Sequence, residues 1–351
     1  MAAPPPFYLS CHCQAHVLAY NPRNFDASGL PAAKREMCDC SHCTRRRIIW
    51  GFSEPGELTV VRGVISESTK DSDLPEMALN EYRFGSKTVH HYFCGVCGTY
   101  LLGTPFDPTK GMAFSFRTLR NLPSSSPFFP APPATFPSII HPGSLRSPQY
   151  TPISLSEIPL ADKLVEFQDP EKNGPPNHVL VGSCHCQNVK FAVSTEDIST
   201  TRVSDCSCSY CRGNGVLWIY PNIRNIVFSP HLPTLETEPP STIKLPWETA
   251  ASKMTFEQTL SDVTTSYRFG RRKYEHVFCK TCGCNIYERG PELCGLNVVL
   301  LNDFDEYLES SLQMTEKNNS EEPEKKPKKN LFGLAIDSIK CDKPPRFILQ
   351  L

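Results

Sequence analysis

The chain has 351 residues, a formal net charge of −1, 39% hydrophobic residues and 33 prolines. That length suits two ordinary domains, and much proline beside a modest apolar fraction points to small β-rich domains joined by extended segments. A charge so near zero gives no electrostatic case for nucleic acid or for an anionic membrane surface.

The opening stretch from Met1 to Ser10 has neither a basic n-region nor an apolar h-region. No apolar run reaches the length of a membrane helix, so a soluble chain of the cytoplasm or nucleus is expected. In those compartments thiols stay reduced. The seventeen cysteines therefore read as metal ligands before disulfides.

Along the chain the cysteines come in three blocks, and the blocks come twice. Ser10-Cys11-His12-Cys13-Gln14 opens the first copy, and Ser183-Cys184-His185-Cys186-Gln187 opens the second. The strand patterns Val17 to Tyr20 and Asn188 to Val193 follow them. Next come Cys38-Asp39-Cys40-Ser41-His42-Cys43 and Cys206-Ser207-Cys208-Ser209-Tyr210-Cys211, each trailed by a tryptophan, Trp50 or Trp218. Glu57 to Val64, Val216 to Tyr220 and Leu296 to Asn302 read as further strands. The copies close on Tyr-Arg-Phe-Gly from Tyr82 or Tyr267, then a histidine (His91 or His276) three residues before Cys94-Gly95-Val96-Cys97-Gly98 or Cys279-Lys280-Thr281-Cys282-Gly283. Those last pairs sit at hairpin-like turns. No long amphipathic helix is evident, and the fold class is mainly β.

The expected organisation is a first zinc domain over residues 7–121, a Pro/Ser-rich linker over 122–177, a second zinc domain over 178–310 and a charged tail over 311–351. The second copy carries a polar insertion, about Ser229 to Ser261, that reads as a surface loop. The apolar stretch from Asn330 to Leu351 is placed to dock back onto a domain.

Each copy thus offers seven cysteines. A structural zinc takes four ligands in a tetrahedron, and three protein ligands leave one coordination position for water or substrate. Seven thiolates divide naturally as four plus three, although spacing alone does not fix the partition. Zinc is favoured over iron because no redox motif accompanies the clusters.

The combined pattern resembles the family of glutathione-dependent formaldehyde-activating enzymes and centromere protein V, over about two thirds of the chain. The resemblance implies two closed zinc sites, one of Cys11, Cys13, Cys94 and Cys97, the other of Cys184, Cys186, Cys279 and Cys282. It implies two open zinc sites, one of Cys38, Cys40 and Cys43, the other of Cys206, Cys208 and Cys211, hence up to four zinc ions per chain. The implied activity is that of a carbon–sulfur lyase, with a small thiol such as glutathione and a small aldehyde as partners. Arg45, Arg46 and Arg47 follow the first triplet and Arg212 the second. These are candidates for receiving the carboxylates of such a thiol.

The copies are unequal. Cys97-Gly98-Thr99 keeps the family pattern, whereas the second copy has Cys284 in place of the threonine and adds Cys294. Either extra thiol is a packed side chain or closes the second triplet. If one copy alone reacts, the first is expected to be it. Within C-x-C, His12 and His185 should point away from the metal, and Trp50, Trp218 and the Tyr-Arg-Phe-Gly segments read as core and turn. The alternative function is a non-catalytic, zinc-stapled module that binds chromatin or a protein partner. A third is zinc storage or redox buffering through the triplets.

Overall fold

The computed structural model describes residues 7–26, 31–32, 35–63, 79–87, 89–103, 111–120, 140–141, 150–158, 164, 178–195, 203–204, 206, 208–222, 225–230, 262–270, 274–290, 294–302, 304 and 336–337. Short β-branched and aromatic runs between turns make strands. In the first copy these are β1 (Phe7–Ser10), β2 (Val17–Tyr20), β3 (Arg35–Cys38), β4 (Ile49–Phe52), β5 (Leu58–Arg62), β6 (Leu79–Tyr82), β7 (His91–Cys94), β8 (Tyr100–Gly103), β9 (Ala113–Ser115) and β10 (Leu119–Arg120). A six-residue helix, α1 (Ser41–Arg46), precedes β4. Strand β11 (Ile140–His141) lies inside the stretch read as linker.

In the second copy run β12 (His178–Ser183), β13 (Lys190–Thr195), β14 (Val203–Ser204), the helix α2 (Ser209–Asn214), β15 (Trp218–Ile219), β16 (Ile226–Ser229), β17 (Thr264–Arg268), β18 (Glu275–Cys279), β19 (Asn285–Arg289) and β20 (Cys294–Asn297). Strand β21 (Ile336–Asp337) comes from the tail. The molecule is mainly β, as its sequence predicts. The polar insertion of the second copy, apart from its edges, and Cys341 lie outside the described residues.

Each copy has a small and a large sheet. The small ones are ordered β10-β1-β2-β5 and β12-β13-β16. The large ones are ordered β11-β3-β4-β9-β8-β7-β6 and, read from the corresponding edge, β21-β14-β15-β20-β19-β18-β17. β11 and β21 pair in parallel with β3 and β14, so a linker strand covers one large sheet's edge and a tail strand the other's. Ile153, Ile158 and Leu164, also from the linker stretch, are buried against Ala192 of β13. Apolar burial explains why these segments pack rather than remain extended in solvent.

The first core gathers Leu9 and Leu18 of the small sheet with Leu101 and Phe114 of the large one. The second core includes Phe191, Phe278 and Leu296, and it also takes in Trp50, Tyr82, Phe93 and Tyr100 from the first copy. The copies are therefore packed together. Gly98 and Gly283, after the last cysteine of each copy, mark where they meet. Both have left-handed backbone, with φ of 69° and 68°. A Cβ on Gly98 would stand 2.7 Å from the ring of Phe278, and one on Gly283 would stand 2.7 Å from the ring of Phe93. Two aromatic rings thus cross over reciprocally, each onto a bare backbone turn of the opposite copy.

Candidate metal centres

The closed clusters are built by two turns. Cys11 and Cys13 leave β1, and Cys94 and Cys97 flank the turn between β7 and β8. That turn is tied by Gly98 N–H donating to Cys94 O at 2.8 Å. The four sulfurs lie within 4.8 Å of one another, as do those of Cys184, Cys186, Cys279 and Cys282. Cys11–Cys13 is 3.5 Å and Cys13–Cys94 3.6 Å; Cys184–Cys186 and Cys186–Cys279 are both 3.5 Å. A disulfide needs about 2.05 Å. Sulfurs at 2.3 Å from a tetrahedral zinc stand about 3.8 Å apart. The spacing fits a shared cation and excludes a disulfide. Backbone N–H groups also turn toward the sulfurs, from His16 onto Cys11 and from Val189 onto Cys184, both at 3.3 Å.

The charge argument runs the same way. Burial pushes the thiols of Cys11 and Cys184 well up. Burial opposes ionisation of Cys97 too, yet hydrogen bonds from Cys11, Cys13 and Cys94 hold it well below the usual thiol range. Hydrogen bonds from Cys184, Cys186 and Cys282 do the same for Cys279. One thiolate is favoured in each cluster at the expense of its neighbours. Full ionisation of all four needs a divalent cation, whose binding would release the remaining protons.

The triplets sit where β3 and β14 run into the short helices. Cys38, Cys40 and Cys43 lie within 4.8 Å of one another, as do Cys206, Cys208 and Cys211. Hydrogen bonds from Cys38 and Cys43 bring Cys40 down to about 3. The thiols of Cys206 and Cys211 likewise hold Cys208 well below its usual value, and Cys211 N–H donates to it at 3.3 Å. Cys206 is pushed up to about 11, first by its hydrogen bond with Cys208. The buried tryptophans have a definite task here. Trp50 Nε1 donates to Cys43 Sγ at 3.4 Å, and Trp218 Nε1 to Cys211 Sγ at 3.3 Å.

The helix of each triplet meets a histidine of the opposite copy. The His185 ring, from the C-x-C turn of the second copy, packs on Ser41 and His42 of the first helix. Its Nε2 is 2.9 Å from Ser41 Oγ and its Nδ1 2.7 Å from Tyr82 Oη. It packs among His42, Tyr82 and Phe84. The mirror arrangement places His12 Nε2 2.9 Å from Ser209 Oγ and Nδ1 3.0 Å from Tyr267 Oη, among Tyr210, Tyr267 and Phe269. Burial lowers His12 to about 4 and His185 to about 3, so both rings are neutral near pH 7. Both rings thus engage their two nitrogens with hydroxyl groups of the opposite copy. Tyr82 and Tyr267 lie toward the four-cysteine cluster of the opposite copy, and burial first, then those thiols, push both phenols up. In the sequence, histidine stands between the first two cysteines of both copies, and serine directly follows the second cysteine of both triplets and begins both helices.

The arginines after the first triplet are buried. Arg46 donates from its two terminal nitrogens to Cys282 O at 3.0 Å and Gly98 O at 2.8 Å, joining the two copies. Arg45 stacks 3.7 Å over Tyr150. Arg47 ends α1 in left-handed backbone where Gly215 ends α2, and its carbonyl accepts from Arg117. The carbonyl of Arg212 lies 3.5 Å from the Arg117 guanidinium. His91 Nδ1 meets Tyr100 Oη at 2.7 Å, not a thiolate. Cys284 lies beside Cys282 of the closed cluster, and Cys294 is buried in β20.

No protein-family model and no curated protein matches the chain. A solved protein of Rhodobacter sphaeroides, from structural genomics, is 27% identical, with a match covering 33% of this chain and 90% of its own. Its TM-score is 0.24, too low for the likeness to decide fold or function. Four clusters that could hold metal ions are thus established from the cysteines themselves, as is a chain in which, among the described residues, no helix is long and apolar enough to cross a membrane.

Proposed function

We propose that this is a zinc protein of the formaldehyde-activating and centromere-protein-V kind, whose three-cysteine sites form and break carbon–sulfur bonds between a small thiol such as glutathione and a small aldehyde. The observation that carries the reading is the contrast between two clusters of four sulfurs and two of three. A zinc ion held by three cysteines supplies a Lewis-acidic fourth position that favours the thiolate of an incoming thiol. The addition joins sulfur to the carbonyl carbon, sends the C=O π pair to oxygen and moves one proton from sulfur to that oxygen. In the first copy, neutral His185 spans Ser41 and Tyr82, and an imidazole between two hydroxyls can pass a proton along without holding net charge.

A non-catalytic scaffold is the second reading. The burial of Cys43 and Cys211, at 2% and 1% exposure, favours it, because substrate must reach sulfurs already enclosed. The purified chain should accelerate hemithioacetal formation from glutathione and formaldehyde. A C40S/C208S variant should lose that acceleration while keeping its strand content. Equal rates in the two proteins would leave the scaffold reading in place.

A further inference from the structure

Beyond the four cysteine clusters, we propose a fifth metal position in the second copy, formed by Cys211, His276 and Glu288, with the Cys211 thiolate shared with the metal of the second triplet. Donor atoms of the three residues lie within 4.8 Å of one another, and all three residues are buried. His276 is 3% exposed and Glu288 8%.

The histidine is the decisive group. Its Nδ1 is enclosed and has no hydrogen-bond partner, although Glu288 Oε2 is 3.4 Å away. The separation is within reach of a hydrogen bond, but the alignment is not that of one. An orphaned buried nitrogen is unfavourable. Nitrogen and oxygen bound at 2.0–2.1 Å to a tetrahedral zinc are about 3.4 Å apart, so the pair stands at the bite of such an ion. Tyr220 Oη donates to Glu288 Oε1 at 2.8 Å, which orients the carboxylate and leaves Oε2 for a metal. Tyr210, stacked at 4.2 Å, fixes the plane of the His276 ring.

The first copy lacks this set by a paired exchange. In the strand register, His91 faces Gly103 where His276 faces Glu288, and Phe93 faces Tyr100 where Phe278 faces Asn285. Tyr100 satisfies His91 Nδ1 at 2.7 Å. A side chain at position 103 has no room, since a Cβ there would stand 2.2 Å from the Trp50 ring. One copy therefore pairs its histidine with a phenol. The other replaces the phenol by Asn285, which accepts from Tyr210 at 2.6 Å, and gives its histidine a carboxylate. Sulfur, nitrogen and oxygen donors together suit a borderline divalent ion such as zinc.

The bridging role of Cys211 rests on the reading that the second triplet binds metal, and the test separates the two. The full-length chain is saturated with zinc and desalted, and zinc per chain is measured for wild type, H276F, E288Q and C206S/C208S. H276F and E288Q should each hold one zinc fewer than wild type, with the other clusters still loaded. E288Q keeps the shape and the Tyr220 hydrogen bond, so it decides the matter should H276F misfold. Wild-type zinc content in E288Q overturns the fifth position. Wild-type content in C206S/C208S, with the loss in E288Q intact, would instead remove the triplet reading and leave a metal on Cys211, His276 and Glu288 alone.

Discussion

Tyr82 and His185 are 103 residues apart in sequence, yet their Oη and Nδ1 atoms are 2.7 Å apart. Tyr267 and His12 repeat the contact in the opposite sense at 3.0 Å. The turn that builds one copy's closed cluster therefore docks on the short helix of the other copy's triplet.

This reciprocity has a cost when it is cut. His185→Ala leaves Tyr82 Oη and Ser41 Oγ without their buried partner, and His12→Ala does the same to Tyr267 and Ser209. Each should destabilise the fold by about 1–3 kcal/mol. Denaturant unfolding of each variant checks it, and a change below about 0.5 kcal/mol would show that the contacts carry little energy.

Arg46 holds the copies together through two carbonyls, one from each. Arg46→Met should cost about 2–4 kcal/mol, since hydrogen bonds to a charged group contribute roughly 1.5–3 kcal/mol each. Arg46→Lys should not restore it, because a single ammonium does not reproduce the planar fork. Thermal unfolding of the two variants beside wild type reads the difference.

Acid should weaken the interface. His12 and His185 are held at about 4 and about 3 in the folded chain, below the ordinary value near 6.5. Between those values the unfolded chain binds more protons than the folded one, so stability rises with pH there and falls as pH drops below about 6.5. Each histidine contributes a slope of up to about 1.4 kcal/mol per pH unit. A H12Q/H185Q variant should show a shallower loss between pH 6.5 and 4. An identical slope would show that these two histidines do not carry the acid sensitivity, leaving it to the other buried histidines, His16, His42, His91 and His276.

Metal removal should proceed in two stages. A weak chelator should strip the three-cysteine sites first without loss of the circular-dichroism strand signal. A strong chelator should empty the four-cysteine clusters and unfold the chain, since those clusters tie β1 to the β7–β8 turn and β12 to the β18–β19 turn. A single-stage loss would mean that the two kinds of cluster bind equally.

Much of this was legible in the sequence because the signals were local. The β2 strand from Val17 to Tyr20 and the cysteine-bearing hairpin turns follow from short-range pattern and from Gly98 and Gly283. Cys11 with Cys94, and Cys184 with Cys279, could be grouped only through the resemblance, because spacing does not determine which distant turns meet. The cross-copy contacts of His12, His185 and Arg46 were not legible. They depend on how two domains dock, and Arg46 beside a triplet looks in sequence like any exposed cation. Docking of the tail was expected from the apolar stretch after Asn330, but the sheet edges that β11 and β21 join were hidden, since a two-residue strand has no periodicity to detect.

The most direct test of the central claim, that the chain carries both closed and open zinc sites, is the zinc content of wild type against C40S/C208S. The variant should retain its strand content and its four-cysteine clusters and hold two fewer zinc ions per chain. Equal zinc in the two proteins would contradict the account.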